Sequence, residues 1–586
     1  MRLAGCDTLR RVPARLLTIA SYLAVSVLLQ RRVLGDLTGS AIGRVSADAT
    51  GFTWWLAHTA HEFSLVTDLQ NHPTGINALW NTAVPLLGVV LAPITWTAGA
   101  TAAFDVGMIL GPVVSGTAAA WALGGIVRSR LARAVAGGLY AFSPFMLAHL
   151  QAGHLNLVWA VLPPVLLGLA HRLFVRDLTR PWVLGALTGL ALALQAWLYT
   201  QTLAVGVLAL LLLALVLAVA HPRRAAARLP GLLRAGLACL GTVALVAGYP
   251  LYLVVAGPAR PQGPLRSPDY GSADLANTLT PTWVTLLHGV TPAMQGNLGE
   301  QGGYLGFAAL LLAVVALVVG GARARVAVAV GALAWVLALG PRLYVGTEPV
   351  GVDLPWQALL HVPLVAEIEP VRLQVVVVLA AAVLVGLALD HPRERPEDGA
   401  PVRSRDSGTV RSRLPGRRGT VRGYVGVLGG ALVLLTWLPA DAQRVTPATA
   451  RARPALAGEV VEVWPRITSR WYGGPDALRD QIASDFGYRL SGGYFLGSDP
   501  GNPVLTESAW NPYQLGAAWV DLWPAPAPPA DPDGAAADLR ARGVTVVLVT
   551  GPASPAVLDW TARVTGSAGE WRDGAWTFRV PATLQR

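Results

Sequence analysis

The chain has 586 residues, of which 53% are hydrophobic and 13% are charged, and its formal net charge is +11. Soluble domains carry about 25% charged residues, so this composition excludes a soluble globular protein. The density of apolar runs also excludes disorder over most of the length. The two cysteines, Cys6 and Cys239, are too few for a disulfide framework. The class that remains is a polytopic membrane protein.

Eleven apolar segments are candidates for membrane-spanning helices, each of which needs about 20 mostly apolar residues. In chain order they are residues 16–30, 101–127, 134–150, 155–174, 182–199, 202–220, 233–256, 304–319, 326–339, 371–389 and 424–438. The first is short, but no small-x-small cleavage site follows it closely, so we interpret it as an uncleaved anchor rather than a signal peptide. The predicted fold class is an α-helical polytopic membrane protein with about 11 transmembrane helices.

The arginines set the predicted orientation, because cytoplasmic loops are enriched in Lys and Arg. No lysine occurs, and the arginines cluster between the apolar spans, which favours membrane topology over nucleic-acid binding as the reason for the positive charge. With a cytoplasmic N-terminus, eleven spans place the C-terminus outside. Arg31, Arg32 and Arg44 then fall on the outer side, against the rule. The arginine-rich cytoplasmic loops are residues 128–133, 172–180, 223–228, 323–325 and 390–423.

The composition changes twice after the tenth span. Residues 390–423 contain nine arginines, and we interpret them as a cytoplasmic linker, either disordered beside anionic lipid headgroups or a plain solvated tether. Residues 424–439 are the last predicted transmembrane helix. Residues 440–586 regain charge and predict a small extracytoplasmic α/β domain. Its predicted features are a Pro-rich loop over 524–530, a helix over 534–542, a buried strand over 543–550 and an alternating strand over 576–580.

The first outer loop is about 70 residues long, a length that is usually functional or disordered, and its sequence is not low in complexity. Aromatic and apolar residues recur at helical spacing over 52–56, which predicts an amphipathic helix lying on the membrane surface and starting near Asp48. The apolar stretch 84–94 is interrupted by two prolines and is short for a span, so it predicts a second interfacial helix.

Motifs along nearly the whole chain match those of a known protein family. In the first outer loop, Asp48 is followed by Phe-x-Trp-x-Leu, and then by Pro-x-Gly-x-Asn-x-x-Trp-Asn-Thr over 73–82. Further matching segments, in order, are 140–144, 153–157, 274–277, 296–306, 370–372 and 487–495. Residues 199–202, Tyr-Thr-Gln-Thr, depart from the pattern, because related sequences often carry Glu there. In these motifs the chain resembles actinobacterial membrane glycosyltransferases of the GT-C superfamily, and the resemblance implies that residues 1–389 form a GT-C-like transmembrane domain.

The resemblance implies a polyprenyl-phosphate sugar as donor and a cell-envelope glycan, lipid or protein as acceptor. It implies catalysis at the outer membrane surface by a hexosyl- or pentosyltransferase, with an essential acid in the first outer loop, a position that Asp48 fills. The chemistry agrees, because an acceptor hydroxyl is a poor nucleophile and needs a carboxylate to take its proton. By family analogy, single displacement with one base gives inversion. The alternative is that Asp48 only caps the helix that follows it.

Glu300 is the second acid with a candidate role. It precedes the eighth span among glycines, which let backbone approach a ligand closely. It could orient the acceptor, bind a metal together with Asp48, or fix Tyr304 within the substrate site. A purely structural role is the alternative.

Three further residues are candidate substrate contacts. Arg372 opens the tenth span from the outer side, where a guanidinium could hold a phosphate through two parallel hydrogen bonds. The alternative is an ordinary interfacial arginine. His154 and Asn156 lie in the tight outer turn between the third and fourth spans, where they could contact sugar or phosphate or instead satisfy a helix end.

No cofactor is certain from the sequence. His58, His61 and Glu62 have helical spacing that could hold a metal, although no third ligand follows at a fixed spacing and a plain surface helix is favoured. Many GT-C enzymes use a divalent cation, so a metal stays open. The sequence contains no Walker loop, no dinucleotide-type glycine pattern after a strand and no Cys-x-x-Cys, so use of a nucleotide sugar lacks support.

Two other functions fit some of these features. A transporter or flippase for a lipid-linked glycan would also have many spans and polar residues at the interface. However, the spans show no internal repeat, and ionisable residues at mid-membrane are few, with Asp105 the nearest exception. A non-catalytic assembly factor whose outer domain binds cell-wall polymer is the second alternative, against which the large acid-bearing first loop argues.

Overall fold

The structure, a computed structural model, describes residues 11–43, 46–176, 178–362, 365–390, 417–441, 444–464, 476–505, 531–550, 553 and 555–581. Helices dominate up to residue 436, and a five-stranded sheet with three helices follows. The predicted loop over 524–530 and most of the predicted linker lie outside the described residues.

The helical part contains sixteen α-helices among the described residues. They are α1 (Arg11–Leu29), α2 (Ser46–His61), α3 (Pro85–Ala98), α4 (Ala100–Ala122), α5 (Arg130–Ala141), α6 (Pro144–Ala152), α7 (Leu155–Val158), α8 (Leu162–Ala170), α9 (Pro181–Leu198), α10 (Thr200–Ala220), α11 (Pro222–Ala256), α12 (Gly306–Val319), α13 (Ala322–Ala338), α14 (Trp356–Leu359), α15 (Gln374–Leu389) and α16 (Arg417–Thr436).

Seven helical segments in the described part of the chain are long and apolar enough to cross a membrane. They are Ala100–Gly125, Arg130–Ala152, Leu155–Val175, Pro181–Leu198, Thr200–Ala220, Pro222–Ala256 and Pro370–Leu389. The chain is therefore a multi-pass membrane protein. The other predicted spans are helical but shorter, and a count of eleven crossings stays a prediction. Helix α16 begins at Arg417, seven residues before the expected start of the last span, so the end of the predicted linker is helical.

Helix α15 is the centre of the bundle, because it is apolar on all sides and is packed on all sides. Twelve of its sixteen residues are buried, against α5, α13 and α16. Helices α10 and α11 lie at the periphery and expose Leu211, Leu215 and Leu245. A Cβ at Gly185 of α9 would clash with the Ala235 carbonyl of α11, so small residues let these two helices pack closely, as in other membrane bundles.

The arginines that break the positive-inside rule are partly neutralised. Arg31 lies 2.6 Å from Asp441, and Arg32 lies 3.8 Å from the same carboxylate. These arginines follow α1, and Asp441 follows α16, so an acid supplied from the far end of the helical part offsets them. Arg44 lies outside the described residues.

Thirteen short strands are present in the described residues. They are β1 (Ser40–Ile42), β2 (Val66–Thr67), β3 (Ile76–Asn77), β4 (Arg342–Val345), β5 (Glu348–Asp353), β6 (Val445–Pro447), β7 (Val460–Trp464), β8 (Arg489–Leu490), β9 (Gly497–Asp499), β10 (Asn502–Leu505), β11 (Val546–Thr550), β12 (Glu570–Arg572) and β13 (Ala575–Arg579).

The C-terminal sheet has the strand order β12-β13-β11-β7-β8. Its three strands β8, β7 and β11 are parallel, and β13 and β12 add antiparallel to one edge. Helices α17 (Asp476–Ala483), α18 (Pro532–Ala541) and α19 (Pro555–Thr565) complete it. The predicted helix over 534–542 and the strands over 543–550 and 576–580 correspond to α18, β11 and β13.

The C-terminal sheet packs differently on its two faces. Val547, Val549 and Phe578 face α18 and α19 in one hydrophobic cluster. Val546 and Leu548, on the opposite face, belong to a cluster that also contains side chains of α2. The C-terminal sheet therefore lies against the first long loop of the helical part.

Helix α2 is buried, which corrects the expectation of a helix lying on the membrane surface. Phe52 stacks on Phe104 of α4, with ring centroids 6.3 Å apart. On another side, the indole of Trp54 donates a 2.7 Å hydrogen bond to Gln481 of α17 and meets Phe486 edge-on. The aromatic residues that suggested an interface with lipid are instead covered by helices on one side and by the C-terminal domain on the other. The second predicted interfacial helix, α3, does expose apolar residues.

Candidate functional site

Asp48 lies in the first turn of α2 and is held by two side chains from distant elements. The Tyr494 hydroxyl donates to Oδ1 at 2.5 Å, and His154 Nε2 lies 3.2 Å from Oδ2. Burial opposes ionisation of Asp48, but its hydrogen bonds with His154 and Tyr494 hold its pKa below the usual range. The helix begins at Ser46, so the alternative that Asp48 is its N-cap is wrong.

A chain of side-chain contacts runs from Asp48 into the helical bundle. His154 Nδ1 lies 2.9 Å from His149 Nδ1, and His149 Nε2 lies 3.4 Å from Arg372 Nη1. A guanidinium only donates and an ionised carboxylate only accepts, which sets the direction of the chain. Arg372 donates to His149, His149 donates to His154, and His154 donates to Asp48.

Arg372 is buried between two carboxylates. Its Nη2 lies 2.9 Å from Glu300 Oε1 and 2.6 Å from Glu369 Oε2, and Arg266 Nη1 pairs with the other oxygen of Glu369. Two guanidiniums thus meet two carboxylates, which is the charge balance that a buried cluster requires. The alternative that Arg372 is an ordinary interfacial arginine is wrong, because its side chain is only 10% exposed.

The two carboxylates of this cluster differ in protonation preference. Burial raises the pKa of Glu300 more than Arg372 lowers it, and neither of its oxygens makes an aligned hydrogen bond in the described structure, although Arg372 is within ion-pair distance. Burial also opposes ionisation of Glu369, but Arg372 and Arg266 together hold its pKa below the usual range. A proton that enters the cluster therefore goes to Glu300.

The glycines around Glu300 are needed for close packing. A Cβ at Gly299 would lie 2.7 Å from Cε1 of the His154 ring, and a Cβ at Gly302 would lie 2.7 Å from the Phe145 backbone. Larger residues at these two positions would push the segment away from α6 and from His154. The glycine-rich motif thus brings Glu300 into the cluster.

A divalent cation fits one part of this site. Donor atoms of His149, His154 and Glu300 lie within 4.8 Å of one another. Two imidazoles and a carboxylate without aligned hydrogen bonds form a donor set that suits Zn²⁺ and similar metals. A metal there would replace hydrogen bonds of the chain, because all four imidazole nitrogens take part in it. Asp48 reaches this set only through His154, so the structure does not pair Asp48 directly with Glu300 as ligands.

The other metal candidates do not converge. His58 is fully buried, and its ring stacks on Trp54 with centroids 5.1 Å apart. His61 instead pairs with Asp485 at 3.1 Å. Glu62 follows the end of α2. The expectation of a plain surface helix is also wrong for His58, because the C-terminal domain covers it.

Residues 18–365, more than half of the chain, match the family described as Domain of unknown function (DUF6311). The chain belongs to this family. No curated protein matches the sequence.

Among solved structures, the DUF6311 chain is similar to the arabinofuranosyltransferase AftD from mycobacteria, with a TM-score of 0.47 and 16% identity, covering 96% of this chain and 40% of that one. It is similar to the apo oligosaccharyltransferase of Archaeoglobus fulgidus, with a TM-score of 0.46 and 12% identity, covering 91% and 69%. It is also similar to AglB of the same organism in complex with an inhibitory peptide and a dolichol-phosphate, with a TM-score of 0.40 and 12% identity, covering 92% and 69%. The chain spans less than half the length of the arabinofuranosyltransferase.

The DUF6311 chain brings together four of the six residues predicted for the site, namely Asp48, His154, Glu300 and Arg372. Tyr304 lies elsewhere, because its hydroxyl is hydrogen-bonded to Thr436 at the end of α16. Asn156 is buried on the one-turn helix α7, and no hydrogen bond in the described residues joins its side chain to the cluster. The alternative of a helix-end role for His154 is wrong, because its side chain makes no capping hydrogen bond.

Four residues of the site were not predicted from the sequence, namely His149, Arg266, Glu369 and Tyr494. His149 had a usable signal, because an ionisable residue within a membrane span is a functional candidate. Glu369 stands three residues before Arg372, a spacing at which opposite charges meet on one helical turn. Tyr494 lies in the matching segment 487–495, but nothing local links it to Asp48, and Arg266 had no comparable signal. Each reaches the cluster only through the tertiary fold.

Proposed function

We propose that the DUF6311 chain is a GT-C-type membrane glycosyltransferase. It transfers a hexosyl or pentosyl group from a polyprenyl-phosphate donor to a hydroxyl of a cell-envelope glycan, lipid or protein. One observation carries the proposal: an ionised, partly buried carboxylate, Asp48, and a buried guanidinium, Arg372, stand at the two ends of one hydrogen-bonded chain. A base for the acceptor and a cation for the donor are thus held in one cluster.

The reaction is an inverting single displacement. The acceptor hydroxyl oxygen attacks the anomeric carbon of the donor sugar, and the bond from that carbon to the phosphate oxygen breaks. The phosphate leaves with the bonding electron pair, and Asp48 takes the hydroxyl proton. The lowered pKa of Asp48 keeps the carboxylate ionised at neutral pH, so the base is ready in the resting site. His154 keeps the carboxylate in place through its hydrogen bond to Oδ2.

Binding of the donor requires the cluster to accept one more negative charge. Arg372 already faces two carboxylates, so an arriving phosphate would leave the cluster with excess negative charge. Glu300 resolves this, because its raised pKa makes it the carboxylate that takes up a proton. A divalent cation held by His149, His154 and Glu300 would supply positive charge toward the same phosphate. In both cases Arg372 holds the phosphate through Nε and Nη2 as two parallel donors, once Nη2 is released from Glu300.

The proposed orientation places the site at the outer membrane surface, with residues 390–423 cytoplasmic and residues 440–586 extracytoplasmic. Tyr494 of the C-terminal domain contacts Asp48 of α2, so these two parts of the chain lie on the same side of the helical bundle. Reporter fusions at Gly408 and Gly534 test the orientation. We expect a cytoplasmic signal at Gly408 and an external one at Gly534, and a cytoplasmic signal at Gly534 would move the site to the other face.

The direct test of the proposed activity uses the purified full-length chain in lipid vesicles. The vesicles contain polyprenyl-phosphate sugars extracted from bacterial membranes, together with envelope glycans as acceptors. We expect release of polyprenyl phosphate and appearance of the sugar on an acceptor. If the lipid-linked sugar crosses the bilayer intact, the protein is a transporter, and if it binds envelope polymer without any cleavage, the protein is an assembly factor.

A further inference from the structure

The hydroxyl of Tyr494 occupies the position that an acceptor hydroxyl needs in the proposed reaction. It donates to Asp48 Oδ1, while His154 engages Oδ2, so each oxygen of the carboxylate already has a hydrogen-bond donor. A hydroxyl that is about to lose its proton to a base must make this same contact. An acceptor hydroxyl and the Tyr494 hydroxyl therefore compete for one place.

The segment that carries Tyr494 is fixed to the first long loop by amide side chains. Gln70 Oε1 accepts from the Tyr494 backbone N–H at 2.9 Å. Asn81 makes two hydrogen bonds to the Leu496 backbone, accepting at 2.7 Å and donating at 3.0 Å. Asn71 adds a backbone hydrogen bond to Gly492 at 2.8 Å. Three of these four hydrogen bonds join a side chain to the backbone, and all four lie between the first long loop and the C-terminal part of the chain, at buried residues.

The ring of Tyr494 packs against a surface of α2 that is flat because it contains a glycine. A Cβ at Gly51, one turn after Asp48 on α2, would lie 3.1 Å from Cδ1 and 3.3 Å from Cε1 of the Tyr494 ring. Thr82 Oγ1 lies 3.5 Å from the same Cβ position. Gly51 and Thr82 thus border a space beside the carboxylate that holds a six-membered ring with a hydroxyl at its end.

We propose that Tyr494 mimics the acceptor, and that the acceptor is a glycan whose ring-borne hydroxyl takes the place of the Tyr494 phenol against Gly51. This inference rests on the proposed function. Without acceptor, Tyr494 closes the subsite and keeps water from being deprotonated by Asp48, which protects the donor from hydrolysis. When a sugar ring enters, the segment around Gly493 moves aside, and the acceptor hydroxyl donates to Asp48.

The test compares Tyr494→Phe with wild type in the vesicle assay, using methyl glycosides of hexoses and pentoses as acceptors. Phenylalanine keeps the ring against Gly51 and removes the competing hydroxyl. A hydrogen bond to a charged group corresponds to about a tenfold change in binding. We therefore expect the acceptor KM to fall about tenfold and donor hydrolysis to rise.

Tyr488→Phe is the matched control, because it removes a buried hydroxyl from the same domain and should change none of these values. A large fall in kcat of Tyr494→Phe, with an unchanged acceptor KM, would make Tyr494 a positioning residue and overturn the proposal. Transfer to serine-containing peptides or to 1-octanol, with none to methyl glycosides, would overturn the proposed acceptor class.

A second measurement separates failure of this proposal from failure of the proposed function. Thermal melting in detergent is followed as methyl glycosides are added without donor, for wild type and Tyr494→Phe. Stronger stabilisation of Tyr494→Phe supports the ring subsite even if no sugar is ever transferred. If wild type releases polyprenyl phosphate, but methyl glycosides raise the melting temperature of neither wild type nor Tyr494→Phe, the proposed function stands and the acceptor mimicry is wrong.

Discussion

Asp48→Asn is the substitution that best separates catalysis from architecture. Asparagine has nearly the size of aspartate, and its amide can be accommodated by one rotation. Its Oδ1 would accept from His154, and its Nδ2 would donate to the Tyr494 hydroxyl, so both contacts in the present structure persist. The directed chain from Arg372 through His149 also stays intact, because His154 still donates.

The expected effects on stability and on catalysis therefore differ greatly. Two hydrogen bonds become neutral rather than charge-assisted, and the free energy of unfolding should change by about 1 kcal/mol. The amide cannot accept the proton, however, and loss of a general base lowers kcat by roughly 10²–10⁴-fold. This corresponds to about 3–5 kcal/mol in the activation free energy.

The assay measures kcat for sugar transfer in vesicles and the melting temperature in detergent for the same preparations. Asp68→Asn is the matched control, because Asp68 is an acid of the same loop that pairs with His72 and Arg489 away from the cluster. We expect similar melting for all three proteins and loss of transfer only in Asp48→Asn. Transfer within about fivefold of wild type by a stable Asp48→Asn protein would refute the assignment of Asp48 as the base. The role of the essential acidic residue would then fall to Glu300 or to no residue.

Substitutions at three further residues test the charges of the site and its support. Arg372→Ala should weaken donor use more than Arg372→Lys does, because lysine keeps the charge but loses the two parallel donors; equal and unchanged donor KM in both would remove Arg372 from the phosphate site. Donor KM should rise as pH rises through the raised pKa of Glu300. Glu300→Gln mimics the protonated form and should remove that pH dependence. A pH dependence of donor KM that persists in Glu300→Gln contradicts proton uptake by Glu300. Burial lowers the pKa of His58 to about 4. Between about pH 6.5 and 4 the unfolded chain therefore binds more protons than the folded one. The free energy of unfolding should fall as pH falls through this range, by up to about 3 kcal/mol. His58→Phe should flatten the fall in melting temperature over this range, and an unchanged slope would show that other groups cause it.

The helical bundle was predictable from the sequence because lipid imposes a simple pattern. A span must be apolar for about 20 residues, and this length makes each helix visible without knowledge of its neighbours. The buried strand β11 was visible for a similar reason, as an apolar run between a helix and a turn. Helix α2 was misjudged, because aromatic residues at an interface with lipid and at an interface with Gln481 and Phe486 look the same in a sequence.

The site was only partly predictable, because its members are far apart along the chain. Asp48, Glu300 and Arg372 each stood out as a single charged residue beside an apolar or glycine-rich segment. Their convergence depends on the packing of α6 against the segment of Glu300, which no local pattern reveals. The contact of Tyr494 with Asp48 depends on how the C-terminal domain docks against α2. Such docking leaves no periodic pattern in the sequence.

The central claim is that this chain consumes a polyprenyl-phosphate sugar through Asp48. The most direct measurement is mass spectrometry of lipid-linked sugars and cell-envelope glycans in three strains. These are the deletion strain alone, the deletion strain with a wild-type copy, and the deletion strain with an Asp48→Asn copy. The account predicts that one polyprenyl-phosphate sugar accumulates and one glycan linkage disappears in the deletion strain, that wild type restores both, and that Asp48→Asn restores neither at equal protein level. Full restoration by Asp48→Asn, or unchanged lipid-linked sugars and glycans in the deletion strain, would contradict it.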